Sequence, residues 1–400
     1  MPTIFMDYHS TTPVDPRVLD AMLPYFTERF GNAASENHAW GRDAKQSADL
    51  ARAQIAHLIH CDPSEILFTS GGTESNNIAL KGAAESLREK GNHIITAATE
   101  HKSVLDVVHR LEKSGMAVTI LPVDSYGQVN PDDVAAAILP TTILISIMTA
   151  NNEIGTIHPV SEIGAIAKAR DVLFHSDAIQ AAGKIPVDVQ EMNVDMLSLS
   201  AHKIYGPKGI GALYVRNKNP GERPLRGEGP LRKVRLAPLF DGGFQERGLR
   251  PGTLNVPGVV GFGKAAKICS NEMPEESRRL KLLRETLKDA LFRALSDIVL
   301  NGHPTDRLPN NLNISFHGIE GESLMMEIPE IALSSGSACT TSQIEPSHVL
   351  KALGMTNALA HGALRIGLGR FTTEEEVRYT ADRMIKTVKK LRSMSPVLTN

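Results

Sequence analysis

A lysine that closes a strand and is followed at once by a glycine- and proline-rich break can do chemistry that most lysines cannot. Lys203 stands in Ser200-Ala201-His202-Lys203, after the apolar run Met196–Ser200 and just before Tyr205-Gly206-Pro207. An amine fixed at the rim of a sheet and partly desolvated keeps its neutral form within reach and can form a Schiff base with an aldehyde cofactor. Alone, a lysine is most often a surface charge; its company singles this one out. Asp177 follows the strand-like run Val172–His175. A carboxylate at a neighbouring strand end can pair with the protonated pyridine nitrogen of pyridoxal phosphate and keep the ring an electron sink. By itself, Asp177 reads as a helix cap.

The third element is Ser70-Gly71-Gly72-Thr73-Glu74, between the strand-like Ile66–Thr69 and a helical stretch. Two glycines let the backbone approach an anion, and the free N–H groups of a helix start favour a phosphate. Such turns are often only turns. His101 also follows a strand and could stack on a pyridine ring, although an ordinary histidine is the plainer reading. Asn151-Asn152-Glu153 follows Ile143–Met148; an amide there could reach a ring oxygen or a substrate carboxylate, or could simply make a turn. Cys339 lies in Ser334-Ser335-Gly336-Ser337-Ala338-Cys339-Thr340, a run too small and polar to pack a core. A thiol on such a loop can attack one molecule and present its product to another; an accidental surface thiol is the competing view. Cys61 and Cys269 sit among apolar helical positions and read as packing residues.

The elements that would position these residues alternate. Strand-like runs at Ile66–Thr69, His93–Thr96, Ala117–Leu121, Ile143–Met148, Val172–His175, Met196–Ser200 and Gly211–Val215 are separated by helical patterns at Ser35–His60, Thr73–Lys90 and Pro131–Leu139, the last capped by Asn130. That alternation predicts an α/β fold, a mostly parallel sheet with helices on both faces, whose ligands sit beyond the carboxyl ends of the strands. After about residue 255 the texture changes. Helical stretches Val256–Cys269 and Glu275–Leu295 precede strand-like Asn311–Phe316 and Ala363–Leu368, and a final helix spans about Glu374–Arg392, opened by a Thr373/Glu376 capping box. We expect a large domain over 15–255 and a smaller α+β domain formed by 1–14 and 256–400, which carries the cysteine loop at about 333–345. The segment Arg216–Arg235, with seven Lys/Arg, three Pro and three Gly, reads as an exposed basic loop.

Composition excludes several classes. The 400 residues are 42% hydrophobic and 22% charged, with a formal net charge of −2; that is a globular composition, with no charge bias toward nucleic acid or a membrane surface. No apolar run reaches the ~18–20 residues of a membrane helix. The start, MPTIFMDYHS, does not read as a secretory signal. Three widely spaced cysteines make no disulfide framework and suit a reducing, cytoplasmic compartment. No metal-ligand spacing stands out.

The segments DYHSTTPVDPRV, FTSGGTESNN, TEHKSVLD, ANNEIGT, SDAIQAAGK, SAHKIYGPKGIGALYVR, ERGLRPGT, SSGSACT and LRIGLGRFTTEEE, in that order, together resemble a NifS/IscS-type cysteine desulfurase of the fold-type I pyridoxal-phosphate family. The SSGSAC motif points to the group I branch. The resemblance implies conversion of L-cysteine to L-alanine, with the sulfur passing to Cys339 as a persulfide and then to an acceptor protein, for iron–sulfur cluster assembly or tRNA thiolation. It implies that Lys203 carries the cofactor, Asp177 pairs its pyridinium, His101 stacks on the ring and assists proton transfers, and Gln180 bonds the ring hydroxyl oxygen. Asn152 would sit near that oxygen and the substrate carboxylate, and Arg365 would clamp the carboxylate. Gly72, Thr73, Ser200 and His202 would hold the phosphate, with Thr253 reaching the phosphate of the other subunit in a homodimer.

Two departures stand out. The basic segment interrupts a region that is compact in close relatives, and the chain stops at Asn400, where housekeeping relatives carry a longer tail that docks the scaffold protein. The competing functions are a selenocysteine lyase, an aminotransferase of the same fold, and an inactive partner-binding scaffold.

Overall fold

The structure is a computed structural model that describes residues 3–217, 233–335 and 346–394. After a short strand β1 (Ile4–Phe5), seven strands form the central sheet: β2 (Ile66–Thr69), β3 (His93–Ala97), β4 (Ala117–Leu121), β5 (Thr142–Ser146), β6 (Leu173–Asp177), β7 (Met196–Ser200) and β8 (Gly211–Val215). Their spatial order is β2-β8-β7-β6-β5-β3-β4. Only β8 runs antiparallel to its neighbours. β5 to β8 are buried throughout, as expected for strands covered on both faces. β4 closes one edge and is largely open to solvent.

Strand β6 runs beyond its apolar stretch. Ser176 and Asp177 remain in register with Leu197 and Ser198 of β7, so the carboxylate is held by the sheet itself. The helix Gly72–Ser86 packs against β7 and β8. The helix Pro131–Ala137 starts as its sequence predicts, with the Asn130 side chain accepting from the Asp132 N–H at 3.0 Å. The helix Ala39–Leu58 is shorter at its start than expected, because His38 Nδ1 accepts the Gly41 N–H and caps it there.

The two helices expected after residue 255 are one. Val256–Ala294 runs unbroken for 39 residues with Pro274 inside. A proline within a helix costs ~3 kcal/mol or more, yet packing on both sides of it continues. Val259, Phe262, Ala265 and Cys269 lie in the core of the large sheet. Leu280, Leu283, Leu287 and Leu291 lie in a second core. The two cores therefore change over inside this helix. The second is built on an antiparallel sheet of β9 (Ile298–Leu300), β10 (Asn311–Phe316) and, after a two-residue strand β11 (Ile331–Ala332), β12 (Ala363–Gly367), in the order β12-β10-β9. β11 pairs with β1, so the N-terminus is stitched into this region. The helix Glu374–Met394 covers it, and its capping box forms in both directions: Glu376 N–H to Thr373 Oγ1 at 3.2 Å and Thr373 N–H to Glu376 Oε2 at 2.9 Å.

At its described feet the basic segment is exposed at Lys233 and Arg235, as expected, and is also anchored. Arg216 bonds the carbonyls of Val189 and Val194, Asn217 bridges Lys233, and Val234 is buried. The rest of that segment and Cys339 lie outside the described residues. Among the described residues, no helix is long and apolar enough to cross a membrane.

Candidate active site

The chemically suggestive residues gather where the central strands end. Ser70–Gly72 follows β2, His101 follows β3, Asn151 and Asn152 follow β5, Asp177 ends β6, and Ser200–Lys203 ends β7. His101 caps the helix Lys102–Glu112, with Nδ1 accepting the Ser103 N–H.

The turn after β2 is tightly shaped. Gly71 donates no side-chain cap, so the helix Gly72–Ser86 presents its first N–H groups uncapped. A Cβ on Gly72 would fall 2.0 Å from Ile179 Cδ1 and 3.8 Å from Ser200 Cβ. Gly72 thus lies against the turn after Asp177 and the end of β7 at once, which is where a helix start can receive an anion. Thr73 is exposed and Ser200 buried beside it.

Asp177 is buried, with Oδ2 accepting from Asn76 Nδ2 at 2.8 Å and Oδ1 from the Ile179 N–H at 3.0 Å. Burial pushes its carboxyl above the usual carboxylate range, against the pull of Asn76, His101 and Lys203. His101 is shifted down, mainly by burial and also by Lys203 and His348, while Asp177 opposes the shift. The three groups therefore feel one another's charge.

Lys203 Nζ donates to the carbonyls of His9 at 2.5 Å and Ser10 at 2.7 Å. The N-terminal segment is thus the seat of the amine. It also holds His202, whose Nδ1 meets Thr11 Oγ1 at 3.1 Å and whose carbonyl accepts from Thr12. Burial and the lysines nearby bring His202 down to about 4. Gln180 is engaged with the same segment: its Oε1 meets His9 Nδ1 at 3.1 Å and its Nε2 donates to the His9 carbonyl at 2.9 Å. Behind Lys203, the buried Lys184 donates to the carbonyls of Lys203 and Gln180, and burial brings it down to about 8.

Arg365, on β12, reaches across from the second sheet. Its guanidinium donates to Asp7 Oδ1 at 2.9 Å, to Ser10 Oγ at 2.7 Å and to the Asn152 carbonyl at 3.1 Å. Its Nε is buried without a partner. Asn152 itself is half-buried, while Asn151 makes the turn by accepting from Glu153 and Ile154. Thr253 is exposed; its segment is tied to the Gly72 helix by Arg250, which meets Glu74 at 3.1 Å.

Several contributors were not singled out by sequence reasoning: Asp7, His9, Ser10, Asn76 and Ser103. Asn76 and Ser103 lie on helix faces that point inward, where polar residues interrupt apolar ones; that interruption is the signal that could have marked them. The two described thiols are both pushed up by burial, Cys269 to about 11, so neither is a ready thiolate. Among the described residues, no cluster of His, Cys, Asp and Glu could hold a metal ion.

A mostly parallel α/β sheet whose strand ends bring together a lysine, a buried carboxylate and an uncapped helix start defines a class, and the chain belongs to it: residues 4–379 match the aminotransferase class-V family. Within that family it is 53% identical to the cysteine desulfurase IscS of Anaeromyxobacter sp. (strain Fw109-5), over 98% of this chain and 94% of that protein. It is 50% identical to a cysteine desulfurase of Homo sapiens, over 98% of this chain and 83% of that one. Among solved structures, a NifS-like protein superposes with a TM-score of 0.86 at 37% identity, covering 98% of this chain and all (100%) of the other. A second, described as SspA in complex with cysteine, gives 0.79 at 37% identity over 93% of this chain and 100% of that one.

Proposed function

We propose that this chain is a pyridoxal-phosphate-dependent cysteine desulfurase that converts L-cysteine to L-alanine and loads the sulfur on Cys339. The observation that carries the reading is the convergence of Lys203, Asp177 and His101 at the strand ends, in a chain half identical to named cysteine desulfurases over nearly its whole length. The residues fit the cofactor. Gly72 leaves no room for a side chain beside an uncapped helix start, which suits a phosphate. Asp177 is a buried carboxylate whose cost of burial a pyridinium would offset.

Gly72, Thr73, Ser200 and His202 would hold the phosphate, Asp177 the pyridinium, His101 the ring face, and Lys203 the aldehyde carbon. Gln180 and Asn152 would stand near the ring oxygen. When bound, the cofactor supplies an electron sink for carbanion chemistry. Lys203 takes the Cα proton of cysteine at Nζ and can return it from the same atom; the carbonyls of His9 and Ser10 hold that amine when it is idle. Arg365 binds the substrate carboxylate, a task suited to a planar donor with a buried, unpartnered Nε. The Cys339 thiolate attacks the substrate sulfur, an S–S bond forms, and the C–S bond breaks with its electron pair going to carbon. After protonation that carbon is the methyl of alanine, and Cys339 keeps the persulfide.

The acceptor we propose is a protein, such as an iron–sulfur scaffold or a tRNA-thiolation partner. We also propose a homodimer in which Thr253 reaches the other subunit's phosphate site. Supporting this, the N-terminal helices and the turns between them carry exposed Leu19, Leu23, Phe26, Phe30 and Trp40, the last two stacked at 4.9 Å, as an unsatisfied apolar face. A reducing, cytoplasmic setting agrees with Cys61 and Cys269 remaining free.

The test is product analysis with cysteine and selenocysteine. The reading expects alanine and sulfide from cysteine at a rate comparable with that on selenocysteine. Pyruvate-type keto acid would point to an aminotransferase, and activity confined to selenocysteine to the lyase.

A further inference from the structure

The polar chain between His101 and Asp177 runs through Asn76 and Ser103, and its direction is set from two ends, an ionised Asp177 and the backbone N–H of Ser103. Asn76 is fully buried in the helix Gly72–Ser86, and its Nδ2 donates at 2.8 Å both to Asp177 Oδ2 and to Ser103 Oγ. The opposite amide orientation would set its oxygen against a carboxylate, so Asp177 decides how the amide lies. Ser103 Oγ therefore accepts from Asn76, keeps one proton to give, and stands 2.8 Å from His101 Nδ1. The same nitrogen also receives the backbone N–H of Ser103 at 3.1 Å. A ring nitrogen with two donors aimed at it carries no proton, and in neutral imidazole the proton then sits on the other nitrogen.

We propose that Asn76 and Ser103 are positioning residues that hold His101 as its Nε2–H tautomer and tie the ring's orientation to Asp177. The ring then offers the reaction an N–H donor and no lone pair, and removal of the Cα proton falls to Lys203 alone. Only that last consequence rests on the desulfurase reading; the tautomer does not.

The same bonds oppose a second protonation, because an Nδ1–H would face two donors. The charged groups around the ring divide: Asp177 and Asp106 favour the imidazolium, Lys203 and His348 disfavour it, and burial, the largest influence, also disfavours it.

The test is long-range 15N–1H correlation on histidine-labelled holoenzyme, with the His101 signal assigned by its loss in His101→Gln. The expected result is the Nε2–H pattern for the neutral ring at pH 8. In Ser103→Ala, which deletes one donor to Nδ1, the ring should titrate higher by roughly half a unit to one unit. The same variant should lose a few-fold in kcat with KM unmoved, and Ser103→Thr should restore both. An Nδ1–H pattern in the wild type would overturn the proposal without any variant having to fold, and so would a Ser103→Ala ring that titrates as before. Either result, with alanine still formed, leaves the desulfurase reading standing; loss of alanine formation from wild type would sink that reading and not the tautomer.

Discussion

Arg365 and Asp7 form an ion pair of 2.9 Å that joins the second sheet to the N-terminal segment, with the Arg365 side chain 4% exposed and that of Asp7 16%. Both hydrogens of the nitrogen that meets Asp7 are committed, one to the carboxylate and one to Ser10 Oγ. The guanidinium is thus locked in plane before any substrate arrives. A lysine could reach the region but could not keep this geometry. Arg365→Lys should raise KM for cysteine about 10- to 100-fold, the worth of one or two charge-assisted hydrogen bonds. Absorption from the bound cofactor should be unchanged. Steady-state kinetics on the holoenzyme checks this, and an unmoved KM would remove Arg365 from the carboxylate site.

Gly72 is required for space. Gly72→Ala would drive a methyl into Ile179 Cδ1, and overpacking of this kind costs ~1–3 kcal/mol. We expect the variant to retain less cofactor after dialysis and to melt lower. Adding Ile179→Val, which deletes the colliding atom, should recover part of both losses. Retention as in wild type would mean that the turn is not a phosphate seat.

Glu100 carries a pH signature. It is fully buried; Oε1 accepts the Met148 N–H at 2.6 Å and Oε2 has no partner. Burial raises its carboxyl well above the usual range, with the Asp177 charge adding to the rise. The folded state therefore holds this proton more tightly than the unfolded chain does. Its contribution is fully present below an unfolded carboxyl's ~4.3 and is lost as pH rises through the higher folded value. Glu100→Gln keeps an acceptor for Met148 without that titration. The Tm advantage of the variant over wild type should grow between pH 5 and pH 8; a flat difference would contradict the assignment.

Much of this site was legible because its members sit at punctuation. Lys203, Asp177 and Gly72 each occupy the residue or two where an apolar run stops and a turn begins, and strand order then carries them to one edge of the sheet. The N-terminal seat of Lys203 was not legible. His9 and Ser10 meet it through backbone carbonyls, and a carbonyl belongs to every residue type. Asn76 and Ser103 escaped for a related reason: their partners lie on other elements, and nothing local in TESNN or HKSV says which. The helix Val256–Ala294 misled because Pro274 is a breaker by local rules, while packing into two separate cores, one on each side of it, accompanies an unbroken helix.

The central claim is that sulfur passes to Cys339, on a site whose cofactor chemistry belongs to other residues. The most direct measurement compares wild type with Cys339→Ala for alanine and sulfide release from L-cysteine with a thiol reductant, recording the yellow cofactor absorption of both. The account predicts that the variant keeps its absorption and loses sulfide release by at least about 100-fold, the scale of a lost covalent nucleophile. A variant as active as the wild type would contradict it.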